Sequence, residues 1–189
     1  MAATPTVEAT ITFLEMREAP LRFPPAPSGG PGLALLKVED PSVAFYRFLY
    51  NTIGGSWYWF ERRLLPDQSI AEIIGNPEVE IWVLYGGGQP AGMAELDFRW
   101  LARDGRADLS YFGLLPTFVG AGLGPYLLGA ALKRLWSREP TRVTVNTSTL
   151  DHPRALPLYQ RLGFVPVRRE GRRFDDPYAT GIMDGPAPP

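Results

Sequence analysis

Several residue types are absent or scarce in this 189-residue chain, and each absence excludes a class of chemistry. The chain has no cysteine, so disulfides, thiolate catalysis and cysteine-ligated zinc or iron–sulfur sites are excluded. Its single histidine, His152, cannot form a histidine-rich metal site. We therefore expect no metal centre, and a reaction that uses either no cofactor or a nucleotide cofactor.

Long hydrophobic runs are also absent. No stretch reaches the roughly 18 apolar residues that a membrane span needs. Residues 1–16 lack the basic region and the continuous apolar core of a signal peptide. The formal net charge of -1 argues against a nucleic-acid binder, which would normally be strongly basic. We expect a cytoplasmic protein that binds neither a membrane nor nucleic acid.

Glycine and proline, by contrast, are abundant, at 20 residues each. A hydrophobic fraction of 45% excludes wholesale disorder, because a disordered chain lacks apolar surface to bury. Eight of the fourteen residues from Ala19 to Gly32 are Pro or Gly, which predicts an extended loop. Residues 184–189 are typical of a flexible tail. The length suits a single domain over residues 1–189.

Hydrophobic periodicity predicts a first strand over Thr10–Met16 and an amphipathic helix that ends at Gly54–Gly55. Further helix is predicted within residues 56–77, with Asp67 or Ser69 as an N-cap. The elements expected after it are a hairpin, a third strand, a long helix, a strand, a short helix and a last strand: residues 79–85 and 91–101, 107–115, 120–138, 141–147, 153–162 and 164–170. This order predicts a mixed sheet flanked by helices.

The most informative segment is a glycine-spaced turn, residues 120–124, which joins a strand to the long helix. Glycines let backbone N–H groups converge on one point, and a helix N-terminus adds partial positive charge, so the turn can bind an anion. A nucleotide P-loop needs Gly-Lys-Ser/Thr at its end, whereas Gly124 precedes Pro125. A dinucleotide fingerprint needs G-x-G-x-x-G after a parallel strand, which is not the pattern here. A tight turn without a ligand stays an open alternative.

The segment Leu114–Gly124 resembles the acetyl-CoA-binding motif of the GCN5-related N-acetyltransferases (GNAT), V-x-P-x-x-[RQ]-G-x-G-[IL]-G. Val119 departs from the usual Arg or Gln, and Ala121 stands where a basic residue is common. A second segment, His152–Phe164, is similar to the downstream family motif N-x-x-A-x-x-L-Y-x-x-x-G-F. His152 replaces the usual Asn. The matching residues of the two motifs are Leu114, Pro116, Gly120, Gly122, Leu123 and Gly124, then Ala155, Leu158, Tyr159, Gly163 and Phe164.

This resemblance implies an α/β (α+β) fold whose mostly antiparallel sheet contains a splayed strand pair. Acetyl-CoA would bind there as co-substrate, with its pantetheine arm in the gap and its pyrophosphate on residues 119–124. Tyr159 would be the general acid that protonates the leaving thiolate, since a phenol and an alkyl thiol have similar pKa values. A half-buried helix aromatic is the alternative for Tyr159. The coenzyme-binding residues implied are Leu114, Leu115, Val119, Gly120, Ala121, Gly122, Leu123, Gly124, Pro125 and His152.

A general base must also take a proton from the acceptor ammonium. Glu95 and Asp97 share one face of a strand, and Asp108 begins the next strand. A carboxylate in a cleft can have a raised pKa suited to this role, although strand carboxylates are ordinary on a half-solvated sheet. We take Glu95 as the leading candidate, ahead of Asp97 and Asp108.

Acceptor-binding residues are expected in two places. Trp57 and Tyr58 belong to a run of four adjacent aromatics that cannot all face one core, so some should border a cleft. Asn146 ends the strand that would face the coenzyme. Arg62 and Arg63 could receive a carboxylate of the acceptor.

The resulting hypothesis is an N-acetyltransferase that moves the acetyl group of acetyl-CoA to a primary amine by direct attack. The acceptor would be a small or amino-acid-like molecule. The alternative is a catalytically weak acyl-CoA-binding sensor or interaction domain of the same fold. A homodimer is left open.

Overall fold

The computed structural model describes residues 4–27 and 32–185, so residues 28–31 of the predicted loop and 186–189 of the predicted tail lie outside the described part. The described residues form seven strands and five α-helices. The strands are β1 (Thr6–Met16), β2 (Leu33–Val38), β3 (Val79–Gly86), β4 (Gln89–Asp97), β5 (Arg106–Leu114), β6 (Arg142–Ser148) and β7 (Val165–Asp175). The helices are α1 (Val43–Gly54), α2 (Asp67–Ile74), α3 (Leu101–Asp104), α4 (Leu123–Trp136) and α5 (Ala155–Arg161).

All the strands belong to one sheet, in the order β2-β3-β4-β5-β6-β1-β7. Every neighbouring pair is antiparallel except β5 and β6, which run parallel. The predicted class, a mixed and mostly antiparallel sheet flanked by helices, is therefore confirmed. The N-terminal strand β1 lies between β6 and β7, at the opposite end of the order from β2.

Three local predictions are wrong. Strand β2 was not expected, and it forms the sheet edge beside β3. Residues 56–60 are not helical, because Tyr58 has φ 55°, outside the right-handed helical region, and only Glu61–Leu64 form a 3-10 turn. The N-cap of α2 is Pro66, which makes no side-chain capping bond, rather than Asp67 or Ser69.

The parallel strands β5 and β6 pair over only their first three residues and then diverge. Register partners exist only from Arg106 to Asp108 on β5 and from Arg142 to Thr144 on β6, although both strands continue further. Opposite β4 the register shifts: Glu95 faces Tyr111, but Leu96 faces Leu109, so Ser110 is an extra residue on β5. Such a bulge bends a strand and re-aims its side chains. The gap between β5 and β6 is the place where a site can form.

Apolar side chains cover both faces of the sheet. On one face, Leu127, Leu128 and Leu132 of α4 are fully buried in the larger core cluster. On the other, Tyr46, Leu49 and Ile53 of α1 are buried with residues of α2 and β3. Burying side chains of this size contributes about 1.5–3 kcal/mol each. Among the residues the structure describes, no helix is long and apolar enough to cross a membrane.

The described part of the predicted proline-rich loop, residues 19–27, has no regular secondary structure. It is nevertheless packed: Phe23 contacts the larger core cluster. Pro24 lies over α4 so closely that a Cβ at Gly129 would stand 2.6 Å from its Cδ. Glycine at this helical position therefore lets the loop lie directly against the helix.

Candidate active site

A cavity of about 1190 Å³ occupies the gap between β5 and β6 and continues to the aromatic residues 57–60. Residues 108–114 form one wall, and Val145, Asn146 and Ser148 form the other. Because the strands have separated, the backbone groups of β5 that face β6 beyond Asp108 have no strand partner. An extended ligand can pair with such a free edge as an added strand would.

At one end of the cavity lies the glycine-spaced turn. Gly120 and Gly122 have φ 90° and 74°, a backbone conformation that glycine adopts without strain, and a Cβ at either position would meet no atom within 4 Å. Gly122 is the N-cap of α4 and offers no side chain to the first N–H groups of the helix. Those groups lack intrahelical partners, so the turn presents free donors at the positive end of a 14-residue helix.

Tyr159 lines the cavity from α5 and is 5% exposed. Its ring packs edge-on against Phe112 and Phe164, at centroid distances of 6.1 and 5.8 Å. Burial, reinforced by the negative charge of Asp151, raises the pKa of the Tyr159 hydroxyl above its ordinary value. The phenol is therefore protonated at neutral pH, as a proton donor must be.

The aromatic run that follows α1 forms a wall of the cavity, and all four rings, Trp57 to Phe60, line it. Trp57 lies against the single histidine, His152, with ring centroids 4.8 Å apart. The Nδ1 of His152 accepts a hydrogen bond from the backbone N–H of Arg154 at 3.1 Å. Sequence reasoning expected some of these rings at a cleft, and the structure places all four in the cavity lining, with a left-handed backbone at Tyr58 within the run.

Glu95 does not line the cavity. It is fully buried beneath α1, where its Oε2 accepts a hydrogen bond from the Tyr46 hydroxyl and its Oε1 accepts one from Arg62, each at 2.6 Å. Asp97, the second candidate, is also outside the cavity and binds the Arg99 guanidinium through both oxygens. The structure thus places both carboxylates in ion pairs within the protein.

Three other carboxylates line the cavity: Glu61, Asp108 and Asp151. Burial raises the pKa of each of them. Glu61 is exposed as a whole residue. Its carboxyl group is nevertheless desolvated by the cavity wall. Asp108 lies where the strands part, and its two oxygens accept hydrogen bonds from Thr144 and Ser110. We call this carboxylate-lined part of the cavity the acidic chamber. Its carboxylates attract a cation, and the arginines of the same cavity oppose that attraction.

Five arginines line the same cavity: Arg62, Arg154, Arg161, Arg172 and Arg173. Arg62 is paired with Glu95, and Arg63 donates to the carbonyl oxygens of Trp59 and Asn51, so neither guanidinium is free for an acceptor carboxylate. Arg172 and Arg173 of β7 line the cavity and are exposed to solvent. In residues 4–27 and 32–185, no group of three or more acidic or histidine side chains could hold a metal ion.

Most of the residues singled out in the sequence come together here. Leu115 and Leu123 are buried in the core instead, and Ala121 is exposed beside the turn, where its N–H donates to the Phe118 carbonyl. The predicted residues that line the cavity are Leu114, Val119, Gly120, Gly122, Gly124, Pro125 and His152 on the coenzyme side, with Trp57, Tyr58, Asn146 and Tyr159.

Sequence reasoning missed several lining residues. Phe13 reaches the cavity from β1, and Phe174 from β7, although no motif marks either residue. Asp151 was missed as well: it does not cap α5, whose N-cap is Arg154, and its carboxylate accepts a hydrogen bond from Thr147 of β6. Its position between the end of a strand and the second motif was the one available signal.

Comparison with protein families gives one match: the model described as the acetyltransferase (GNAT) family matches residues 38–164. That range covers both motifs, β5 and β6. Comparison with curated proteins gives no match.

Solved structures share the fold. A GCN5-related N-acetyltransferase from Sphaerobacter thermophilus is 19% identical, with a TM-score of 0.62 over 95% of this chain and 53% of that chain. One from Kribbella flavida is 17% identical, with a TM-score of 0.58 over 91% of this chain and 60% of that chain. An aminoglycoside acetyltransferase from an uncultured soil metagenomic sample, solved with sisomicin, is 11% identical, with a TM-score of 0.56 over 69% of this chain and 86% of that chain. The chain spans between 53% and 61% of the length of the first structural neighbours.

Proposed function

The chain belongs to the acetyltransferase (GNAT) family, and from that premise we propose that it transfers the acetyl group of acetyl-CoA to a primary amine of a small molecule. The amine would attack the thioester directly. One observation carries the proposal: a single cavity joins the glycine turn, the gap between β5 and β6, the Tyr159 side chain and an acidic chamber.

The residues present fit the coenzyme. Gly120 and Gly122 leave open space in front of the N-terminus of α4, which suits a pyrophosphate. The unpaired edges of β5 and β6 suit the amide groups of a pantetheine arm. Bound in this way, acetyl-CoA would supply an activated acyl group, and the protein would supply position and protons.

Tyr159 would donate a proton to the departing thiolate. Its raised pKa keeps the phenol protonated at neutral pH but makes it a weaker acid than an ordinary phenol, so transfer requires that the leaving thiolate be desolvated to a similar degree. The rings of Phe112 and Phe164 fix the orientation of the side chain, so little reorganisation accompanies the transfer.

The acceptor would be a cation that enters the acidic chamber. Glu61, Asp108 and Asp151 are partly desolvated, and an ammonium among them would restore the charged form of each carboxyl. The aromatic wall, Trp57 to Phe60, would pack against the rest of a small acceptor.

Two measurements test this proposal. Calorimetry with acetyl-CoA reports binding, and the release of free coenzyme A thiol reports turnover against a panel of simple alkylamines, amino acids and the aminoglycoside sisomicin. For each amine, the matched alcohol serves as the control. We expect acetyl-CoA to bind, and thiol release to depend on an amine and not on its alcohol. The absence of acetyl-CoA binding would contradict the proposal.

A second function, acyl-CoA binding without turnover, is favoured by one observation. Val119 is 41% exposed beside the glycine turn, where a basic side chain would contact phosphate, and it offers no charge. Acetyl-CoA binding with no thiol release for any amine would support a sensor or interaction domain instead.

A further inference from the structure

Asp151 lies three residues after the end of β6, where two cavities meet. Beside the main cavity is a second one of about 480 Å³, and Trp57 and His152, whose rings are in tilted contact, line both. Asp151 also lines both cavities. The second cavity is rich in hydroxyl groups, including those of Thr12, Ser56, Thr147, Ser148 and Thr149. A carboxylate at this junction can be reached from either side.

The hydrogen bonds of Asp151 leave one oxygen available. Its Oδ2 accepts from the Thr147 hydroxyl and from the backbone N–H of Ser148, each at 2.8 Å. Oδ1 accepts neither of these bonds, and the Trp59 indole, which lines the main cavity, is a further donor that favours the charged carboxylate. A carboxylate oxygen has two lone pairs, so Oδ1 can still accept a hydrogen bond from a ligand. The side chain is therefore held in one orientation by Oδ2 and presents Oδ1 to a ligand.

The other carboxylates are less suited to accept a proton. Both oxygens of Glu95 and both oxygens of Asp108 already accept hydrogen bonds from protein groups. Glu61 lies in the cavity wall, where the hydrogen bonds that favour its charged form come from the backbone of its own turn, at Phe60 and Glu61. Asp151 is held in place and lies close enough to Tyr159 for its charge to act on the phenol. Acid and base would then share one side of the cavity.

We infer that Asp151 is the proton acceptor for the amine in the acetyl transfer proposed above, an inference that rests on that proposed function. Oδ1 takes one proton from the acceptor ammonium, and the freed lone pair forms the new C–N bond as the C–S bond breaks. Tyr159 gives its proton to the thiolate and regains one from the acylated nitrogen through solvent. Asp151 releases its proton to water in the second cavity. The sum is ammonium plus acetyl-CoA giving acetamide, coenzyme A thiol and one proton.

This role predicts a particular pH dependence. Burial raises the pKa of Asp151, while the bonds from Ser148, Thr147 and Trp59 oppose the rise. The charged and titratable groups around this carboxylate are Glu61 and Tyr159, whose pKa values it raises, together with His152, Arg154, Arg161 and Arg172 of the same cavity wall. Since only the ionised carboxylate accepts a proton, kcat/KM should fall as pH decreases through this raised pKa, above the usual range of an aspartate.

The test compares pH–rate profiles of thiol release for the wild type and three variants. Asp151→Asn keeps the acceptor oxygen for Thr147 and Ser148 but cannot take a proton. We expect kcat to fall by roughly 100-fold or more, with unchanged acetyl-CoA affinity. The decrease in rate at low pH, which we call the acidic limb of the profile, should disappear. Thr147→Val keeps the carboxylate and removes one bond that lowers its pKa, so the limb should remain but move to higher pH. Asp40→Asn, on an exposed turn, is the control and should match the wild type.

Two results would overturn the inference. If Asp151→Asn retains the acidic limb at the wild-type pH, another group is the base. If Asp151→Asn does not fold, an unmoved limb in Thr147→Val leads to the same conclusion. Both results presuppose wild-type turnover and so leave the proposed function intact. A wild type that binds acetyl-CoA but acetylates no amine contradicts the function and the inference together.

Discussion

Glu95 and Arg62 form a buried ion pair, and replacing Glu95 with Gln separates a structural role from a catalytic one. The side chains of Glu95 and Arg62 are 0% and 12% exposed, and Nε of Arg62 has no hydrogen-bond partner. Glu95→Gln keeps the size of the side chain and removes its charge. The Arg62 cation would then be buried without compensation, and the amide N–H₂ would compete with the guanidinium donors.

The magnitude follows from this burial. Breaking a buried ion pair by removing one partner costs about 3–5 kcal/mol, and Tyr46 can still donate to the new amide oxygen, so we expect a loss of about 3 kcal/mol in unfolding free energy. Glu80→Gln is the matched control, because Glu80 is also buried but its partner Arg134 is 34% exposed. Water can solvate that arginine, and the loss should be nearer 1 kcal/mol.

Urea unfolding measures both losses, and the pH–rate profile of thiol release measures catalysis. We expect Glu95→Gln to keep the acidic limb at the wild-type pH despite its lower stability. The double variant Arg62→Met with Glu95→Leu should be more stable than Glu95→Gln alone, because it removes both charges. An unfolding free energy within about 0.5 kcal/mol of the wild type, combined with loss of the acidic limb, would refute the structural role of Glu95.

Two further predictions concern the glycine turn. Gly122→Ala places a Cβ in the anion space and strains a residue at φ 74°, so we expect about tenfold weaker acetyl-CoA binding by calorimetry. Gly88→Ala, in the β3–β4 turn at φ 80°, should lose similar stability without loss of affinity, and equal affinity losses in both variants would contradict an anion site. Val119→Arg adds a cation beside the turn and should tighten acetyl-CoA binding about two- to fivefold at low salt, with the gain shrinking as salt rises. An unchanged dissociation constant at low salt would place the phosphates elsewhere.

The sequence predicted best the parts of the fold that depend on local pattern. The glycine turn and the helix after it were predicted because glycine spacing and helix initiation act over a few residues. Strand β2 was missed because an edge strand with exposed residues, Leu36 among them, lacks clear alternation. The place of β1 between β6 and β7 depends on pairing between residues far apart in the chain, which no local pattern encodes.

The same distinction between local pattern and long-range packing explains which site residues were predicted from the sequence. Tyr159 and His152 lie within a motif, and both line the cavity. For Glu95, alternation indicated that it shares a face with Asp97, but not which face lies against α1. That outcome depends on helix packing, which supplied Tyr46 and Arg62 as partners.

The central claim is that Tyr159 transfers a proton during acetyl transfer in this cavity, and Tyr159→Phe tests it most directly. The substitution removes only the hydroxyl and keeps the ring between Phe112 and Phe164. The measurement is kcat for amine-dependent thiol release, with the acetyl-CoA dissociation constant determined on the same sample. We predict a fall in kcat of roughly 100-fold or more with the dissociation constant unchanged. A variant that turns over at the wild-type rate would contradict the account.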